Sequence, residues 1–434
     1  MARDVPDCFP REIRTRLRQA LPDIAPLFAT SERNFRAGRL PSEGLDRRRR
    51  AATGAETKSA MTSAPHLLHV FSSFEVGGSQ IRFCQLVNAL GDRYRHSVIA
   101  LDGRTDARGR LRPGAPVEII SFDHHKTGSL RDLRRFRRTL ATLRPNLLLT
   151  YNWGAIEWGL VNIIRPICPH IAVVDGFGPE EVAASLPRRS FIRWFVYGRA
   201  RSLVVPSRVL ERVARDTWRI PARIVRYIPN GVDVARFHQP PDPALLAQLD
   251  LTGAEPVIGT IAGLRREKNV GRLVDAFARI VQQGRAARLV VIGDGPLRHD
   301  LEAQTHRLGL AGRVIFTGAL TGPERLLGAF SIYAISSDTE QMPISLVEAM
   351  ATGLPVASVD VGDVADMVAS ENGRFIQGRD AENLAQSLAA LLDNPTERAR
   401  IGAANRAAAT ARFTERNMVE VYDRLFASAM TGRP

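Results

Sequence analysis

Two successive series of short apolar runs, each run separated from the next by an amphipathic or polar stretch, constrain the possible folds of this chain more than anything else in it. The first series runs through HLLHVFS (66–72), HSVIAL (96–101), VEIISF (117–122), NLLLTYN (146–152), IAVVDG (171–176), SLVVPS (202–207) and IVRYIPN (224–230). The second runs through PVIGTIAG (256–263), RLVVIGDG (288–295), RVIFTG (313–318), IYAISS (332–337) and LPVASVD (354–360). Runs of this length, rich in apolar and β-branched residues, suit strands buried on both faces. Helical spacing between them, as in Gln80–Leu90 and Leu130–Leu143, predicts parallel strands joined by helices. The expected architecture is α/β, with two Rossmann-like, doubly wound domains.

Texture along the chain divides it further. Residues 1–60 carry RRRR (47–50), several prolines and no strand–helix alternation, so they are expected to be a disordered or mis-assigned extension. A basic membrane-anchoring arm is the alternative. Residues 61–237 form the first expected domain, the Pro-rich stretch 238–255 a linker, residues 256–411 the second domain, and residues 412–434 a closing helix. A chain of 434 residues has length enough for two cores.

Composition narrows the function classes. Nothing in the chain supplies the roughly 18 continuous apolar residues a membrane-crossing helix needs. The N-terminus lacks an apolar stretch of signal-peptide type, and cytoplasmic residence is expected, with peripheral contact at the inner face of the membrane. Three widely spaced cysteines, Cys8, Cys84 and Cys168, argue against a disulfide scaffold or a zinc site, and no metal is expected. Cys84, within IRFCQLVNAL, reads as a packed thiol. The net charge of +15 favours anionic partners. No nucleic-acid recognition module is visible, so phosphorylated small molecules and a membrane surface explain the charge better.

Ligands of parallel sheets gather at the carboxyl ends of strands, so the loops directly after the strands are the ones that matter. In SSDTEQMPISLVEAMATGLPV (336–356), Glu340 and Glu348 flank a turn that leads from a strand into a helix. Pro343 suits the first helical turn and Gly353 the stop. Free N–H groups at such a helix start attract an anion, which leaves the two carboxylates for hydroxyl groups. Gly77 and Gly78 follow the first strand, where they either make a tight strand-to-helix turn with no ligand or let backbone amides approach a phosphate or sugar closely. Arg265 and Lys268, with Gly263 supplying backbone freedom, form a basic loop in GTIAGLRREKNV (259–270) suited to a diphosphate. Gly293, Asp294 and Gly295 make a further turn beside it.

These segments together resemble retaining nucleotide-sugar glycosyltransferases of family four, with the GT-B fold and the E-x7-E signature. FEVGGSQ (74–80), VVPSRVLERV (204–213), IPNGVDVARF (228–237), the basic loop and VIGDGPLR (291–298) occur in that family's order. The resemblance covers roughly residues 65–430. It implies an active-site cleft between the domains, a UDP- or GDP-type sugar donor as co-substrate and no cofactor. It implies further that Arg265 and Lys268 bind the diphosphate, that Glu340 lies by the donor sugar, and that Glu348 holds the ribose hydroxyls. Gln341, Met342, Pro343 and Ile344 would meet the diphosphate or sugar through their backbone. Asn230, Gly231 and Asp233 would shape the hinge, and the last helix would cross back onto the first domain.

The chain departs from the family in IAVVDGFGPEE (171–181), where Asp175 precedes Gly176 in place of the usual histidine. A carboxylate there can accept a hydrogen bond or act as a base, but donates only when protonated. Capping of the strand-to-loop turn is an equal alternative. His124, His125 and Lys126, with Tyr151, Asn152, Trp153 and Glu157, are the candidate acceptor residues. The run PRRSFIRWFVYGRARS (187–202) suits a surface helix on anionic lipid, or a core-facing helix with snorkelling arginines. The expected activity is transfer of a sugar to a hydroxyl in polysaccharide or glycolipid synthesis. A sugar-nucleotide epimerase or hydrolase, and a catalytically silent binding subunit, are the alternatives.

Overall fold

The structure, a computed structural model, describes residues 64–122, 130–176 and 186–432. The expectations for residues 1–60 and for His124, His125 and Lys126 lie outside the described residues, as do positions 177–181.

Strands β1 (His66–Phe71), β2 (Arg95–Ala100), β3 (Val117–Ile120), β4 (Leu147–Tyr151), β5 (His170–Val173), β6 (Ser202–Val205) and β7 (Val225–Tyr227) form one sheet in the order β3-β2-β1-β4-β5-β6-β7. Every pairing in it is parallel. Every residue of β1 is buried, because helices cover both faces of the sheet. Cys84 lies in that packing, on the helix Gly78–Leu90, and burial pushes its thiol up to about 12.

Strands β8 (Val257–Ile261), β9 (Arg288–Ile292), β10 (Val314–Gly318), β11 (Ile332–Ile335), β12 (Val356–Val359) and β13 (Ile376–Gln377) form the second sheet, ordered β10-β9-β8-β11-β12-β13 and again parallel throughout. Both sheets therefore wind outward from their first strand in two directions. The chain reverses its direction of winding between β1 and β4, and between β8 and β11. These are the switch points at which crevices open.

The 238–255 stretch is not bare chain: it contains a helix, Pro243–Gln248, started by the Asp242 side chain accepting from the backbone of Ala244 and Leu245. Leu245, Leu246, Leu249 and Leu251 pack against the second domain's core. At the far end, the helix Pro395–Arg412 buries Ile401 and Ala409 in the second domain. The final helix, Glu415–Thr431, instead buries Met418, Tyr422, Leu425 and Phe426 in the first. The chain crosses over at residues 413–414, where Val232 exchanges backbone hydrogen bonds with Phe413 and Glu415 at 3.0 and 2.9 Å. Gly231 permits this approach, since a Cβ there would lie 2.4 Å from the Thr414 carbonyl oxygen. Among the described residues no helix is long and apolar enough to cross a membrane.

Candidate active site

Adjacency of β8 and β11, paired at Ile258–Ile332 and Gly259–Tyr333, brings the loops that follow them side by side. The β8 loop closes as a turn of 3-10 helix at Arg266–Lys268, and Asn269, at φ 41, starts the next helix by accepting from Arg272 N. The β11 loop is tied to it where Asp338 N donates to Glu267 O at 2.9 Å and Ser336 Oγ to Lys268 O at 3.2 Å. Lys268 Nζ thereby reaches Glu340 Oε1 at 2.6 Å, and Ser337 Oγ donates to the same oxygen at 2.8 Å. Both charged side chains are largely enclosed and line a small concavity with Thr260, Tyr333 and Ser345. Arg265 sits on its rim, 60% exposed, 3.3 Å from Glu267 and with its guanidinium over Gly263. An exposed, lightly paired guanidinium beside a held ammonium suits an anion arriving from the cleft.

The Gly293–Gly295 turn supports this loop from behind. Gly293 (φ 144) and Gly295 (φ 158) adopt backbone conformations that side chains disfavour. A Cβ would stand 1.9 Å from Ala262 O at the first and 2.6 Å from Leu264 O at the second. Asp294 O accepts from Leu264 N at 2.9 Å, while its exposed carboxylate accepts from Gly295 N. The glycines thus allow close packing beneath the basic loop.

Pro343 is the extended residue before the helix Ile344–Thr352 (φ −66, ψ 121), one position outside the expected first turn. Pro343 and Ser345 line the concavity, so the helix starts at its edge, where first-turn N–H groups lack partners within the helix, apart from that of Leu346, which donates to Pro343 O at 3.2 Å. Glu348 lies on this helix, half-buried. Burial, and next the nearby Glu324 carboxylate, push its carboxyl up to about 7, against the pull of Arg236 and Arg110. Arg236 holds Glu324 through Nε at 2.8 Å and Nη2 at 2.6 Å. Arg110 belongs to the first domain and donates to Thr321 O at 3.0 Å, bridging the cleft. Glu324 and Arg110 have no signal in local spacing, because they reach the site only through long-range packing.

The first domain presses directly on the 340–344 turn. Gly78 faces the start of the Ile344–Thr352 helix, 3.7 Å from Ile344 Cδ1 to where its Cβ would be, and Gly77 precedes it in extended backbone. Gly176 faces Gln341 in the same way at 3.8 Å. Ser207 Oγ donates to Gln341 Oε1 at 3.2 Å, and Asn230 Nδ2 donates to Met342 O at 3.1 Å. The Asp363 carboxylate, from the second domain, accepts from Arg208 N and from Val209 N (2.9 Å) at the start of the first domain's helix Arg208–Asp216. Asn230 therefore touches the site turn itself, a closer role than hinge-shaping. Asp233 caps the short helix Val234–Phe237.

Asp175 requires a correction. Its carboxylate is engaged by Arg82 Nη2 at 2.7 and 2.8 Å, so it is the counter-ion of a buried guanidinium rather than a free base. Arg82, 1% exposed, faces inward from the helix Gly78–Leu90, and a charge so deep persists only with a partner. Asn152, at the strained backbone angle φ 58, accepts from Asp175 N at 2.8 Å and braces the same loop. Glu157 occupies the first turn of the helix Ile156–Ile164, where a negative charge suits the helix dipole. In the helix Pro187–Tyr197, Arg193 is buried, 5.0 Å from the Trp153 ring and 4.6 Å from that of Trp218, which favours the core-facing reading of that face. Among the described residues no three His, Cys, Asp or Glu side chains gather as a metal site.

Comparison with known proteins places this geometry in context. Residues 76–236 match the family described as Glycosyltransferase Family 4, and residues 243–408 match Glycosyl transferases group 1. The chain is 33% identical over 180 residues to a 2-deoxystreptamine glucosyltransferase of Streptomyces kanamyceticus, covering 40% of this chain and 46% of that one. It is 31% identical over 206 residues to a GDP-mannose-dependent alpha-(1-6)-phosphatidylinositol monomannoside mannosyltransferase of Mycobacterium tuberculosis, covering 44% and 53%. The chain thus spans about half the length of these curated relatives. Anabaena HepE, solved with UDP and glucose, superposes with a TM-score of 0.72 at 22% identity, over 84% of this chain and all of that one, and shares the fold. The two matched segments take in the loops on both sides of the cleft, the Gly-Gly turn in one and the two glutamates with the basic loop in the other. The chain is a GT-B protein and belongs to glycosyltransferase family 4.

Proposed function

We propose that this protein is a retaining glycosyltransferase that moves a sugar from a nucleoside diphosphate to a hydroxyl acceptor. The observation that carries the reading is the Lys268–Glu340 pair at the β8/β11 switch point, beside the start of the Ile344–Thr352 helix. In this reading the donor diphosphate lies against the free N–H groups of that helix, with Lys268 and Arg265 on its oxygens. The bond from the anomeric carbon to the phosphate oxygen breaks while that carbon bonds the acceptor oxygen on the same face. The acceptor's proton passes to a diphosphate oxygen. Two fixed cations favour the charge that grows on the leaving group, an effect often among the largest in catalysis. Glu340 orients Lys268 and accepts from a sugar hydroxyl, and Glu348 accepts from the ribose.

The donor is proposed to be of UDP or GDP type, in keeping with the relative named for GDP-mannose and the neighbour solved with UDP. No metal or further cofactor is part of the proposal, and neither is nucleic acid. The acceptor is proposed to be a saccharide or glycolipid hydroxyl in polysaccharide or glycolipid synthesis. Peripheral contact with an anionic membrane at its cytoplasmic face is supported by the helix Leu130–Leu143, whose sequence LRDLRRFRRTLATL carries five arginines.

Thermal-shift screening with UDP-, GDP- and ADP-sugars tests the donor, since ligands that bind the folded state stabilise it. Product analysis with the selected donor and a panel of glycolipid and oligosaccharide acceptors tests transfer, and the anomeric configuration of the product tests retention. Near-normal turnover in Arg265→Ala, Lys268→Ala and Glu348→Ala alike would reject the assigned cleft.

A further inference from the structure

We propose that Arg82 is a positioning residue for sugar transfer, acting through the Asn230 amide to set the register of the 341–344 turn across the cleft. The inference rests on the transferase reading and adds to it a residue remote from the donor's diphosphate.

Four segments meet at this one buried guanidinium. Arg82 Nη2 holds both Asp175 oxygens, Nη1 donates to Asn230 Oδ1 at 2.8 Å, and the Tyr422 ring of the final helix lies 5.9 Å away. Burial opposes the charge most strongly, but Asp175 together with Tyr422 and Tyr151 outweighs it, and the group stays charged. A guanidinium carries only donors, so the amide oxygen of Asn230 has to face it. The amide nitrogen is then obliged to face the other way, and there it donates to Met342 O at 3.1 Å. Asn230 N also donates to Met342 Sδ at 3.1 Å. Arg82 and Met342 O thus select the same amide orientation from opposite ends, and without Arg82 only the Met342 contact remains to hold it.

Met342 lies two positions after Glu340 and two before Ile344, the first residue of the helix whose start faces the donor. Arg82 acts on the neighbouring wall as well. Asp175 precedes Gly176, whose open side faces Gln341. One charge in the first domain therefore sets both sides of the turn that the second domain offers to the sugar. Arg265, Lys268 and Glu348, which serve the nucleoside diphosphate, receive none of these contacts. Loss of the link should accordingly impair turnover more than nucleotide binding.

Asn230→Asp separates the two halves of the link. The carboxylate still accepts from Arg82, so the buried charge keeps its partners, but it has no hydrogen to give to Met342 O. With the full chain and either UDP-glucose or GDP-mannose as donor, Asn230→Asp should lower kcat about 10- to 100-fold, as expected for a misplaced reacting group. The affinity for UDP or GDP alone should fall by much less than kcat, because Arg265, Lys268 and Glu348 hold the nucleotide from outside the turn. Arg82→Gln should show the same split, Arg82→Lys should recover part of the kcat, and the Arg82→Gln/Asn230→Asp double variant should be no worse than the poorer single one. Should Arg82→Gln fail to fold, Asn230→Asp decides the matter by itself. An unchanged kcat in Asn230→Asp overturns the proposal, as does a fall in nucleotide affinity that matches the fall in kcat. A wild-type protein that neither binds UDP or GDP nor turns over either donor would refute the transferase reading, a result distinct from both.

Discussion

Lys268 Nζ donates to Glu340 Oε1 at 2.6 Å, joining two loops whose residues stand 72 positions apart in the chain. The ammonium assigned to the diphosphate and the acid assigned to the sugar are thus one unit. Removing Lys268 takes away a charge-assisted contact worth about 1.5–3 kcal/mol, or about 10- to 150-fold in rate. Lys268→Ala should lower kcat/KM by that factor, and the double variant with Glu340→Ala should lose less than the two single losses combined. Additive losses in a double-mutant cycle would show that the pair does not work as a unit.

Glu348 is where a pH dependence of stability and of nucleotide binding should appear. Its carboxyl titrates at about 7 in the folded protein against 4.5 ordinarily, so the folded state holds its proton more tightly than the unfolded state does. The sign follows: this group's contribution to stability falls as pH rises from about 4.5 through 7. Glu348→Gln should raise the melting temperature relative to wild type at pH 8 and leave it nearly equal at pH 4. If the ionised acid grips the ribose, wild-type affinity for UDP or GDP should rise through pH 7 and that of Glu348→Gln should stay flat. A flat wild-type profile would remove Glu348 from the ribose site.

Buried histidines act in the opposite sense. His69 bonds Tyr151 OH at 3.1 Å and His96 at 3.0 Å, and His170 bonds Thr150 at 2.8 Å, all within the first sheet. Burial lowers His96 to about 3 and His170 to about 4, and holds His66 and His69 below the ordinary 6.5 as well. The unfolded chain takes up these protons near pH 6.5 while the folded one resists. Stability from each group is complete above 6.5 and falls by about 1.4 kcal/mol per pH unit below it until the folded value is reached. Melting temperature should drop steeply between pH 7 and 5, and in His170→Gln the drop should be shallower. Equal slopes in the two proteins would contradict neutral burial of His170.

Asp363 joins the domains by an unusual cap, a carboxylate of one domain on the helix start of the other. Asp363→Ala leaves the N–H groups of Arg208 and Val209 without their acceptor. Ser207 remains that helix's own N-cap, and losing the two further bonds should cost about as much as losing a cap, about 0.5–2 kcal/mol, which urea melts should show. The cleft should also open more readily, visible as a larger radius of gyration in small-angle scattering. A variant as compact and stable as wild type would mean that other contacts suffice to hold the domains together.

Local patterning is strong in this chain wherever neighbours in sequence decide the outcome. Apolar runs such as HLLHVF and LLLTY are buried throughout because parallel strands are covered on both faces, and the fold class was legible from them. The GT-B arrangement and family were equally plain, since strand–turn–helix junctions leave their glycines, cations and acids at short fixed spacings. The Asp175 loop read less well. Its composition admits a free acid, and only the inward-facing Arg82, 93 positions earlier, turns that acid into a counter-ion. Asn230 belongs to the same class, read as a hinge residue from its motif and found to hold Met342.

The sequence alone determined two doubly wound parallel sheets and a pair of acids eight residues apart at the mouth of the second. Helical and strand periods are properties of consecutive residues, so they need no knowledge of the rest of the chain. Only the tertiary structure decided which charge meets which: Lys268 with Glu340, Arg82 with Asp175 and Asn230, Asp363 with a helix of the other domain. Strand order sets those meetings, and strand order is chosen by the packing of whole sheets and helices, in which no short segment carries the answer.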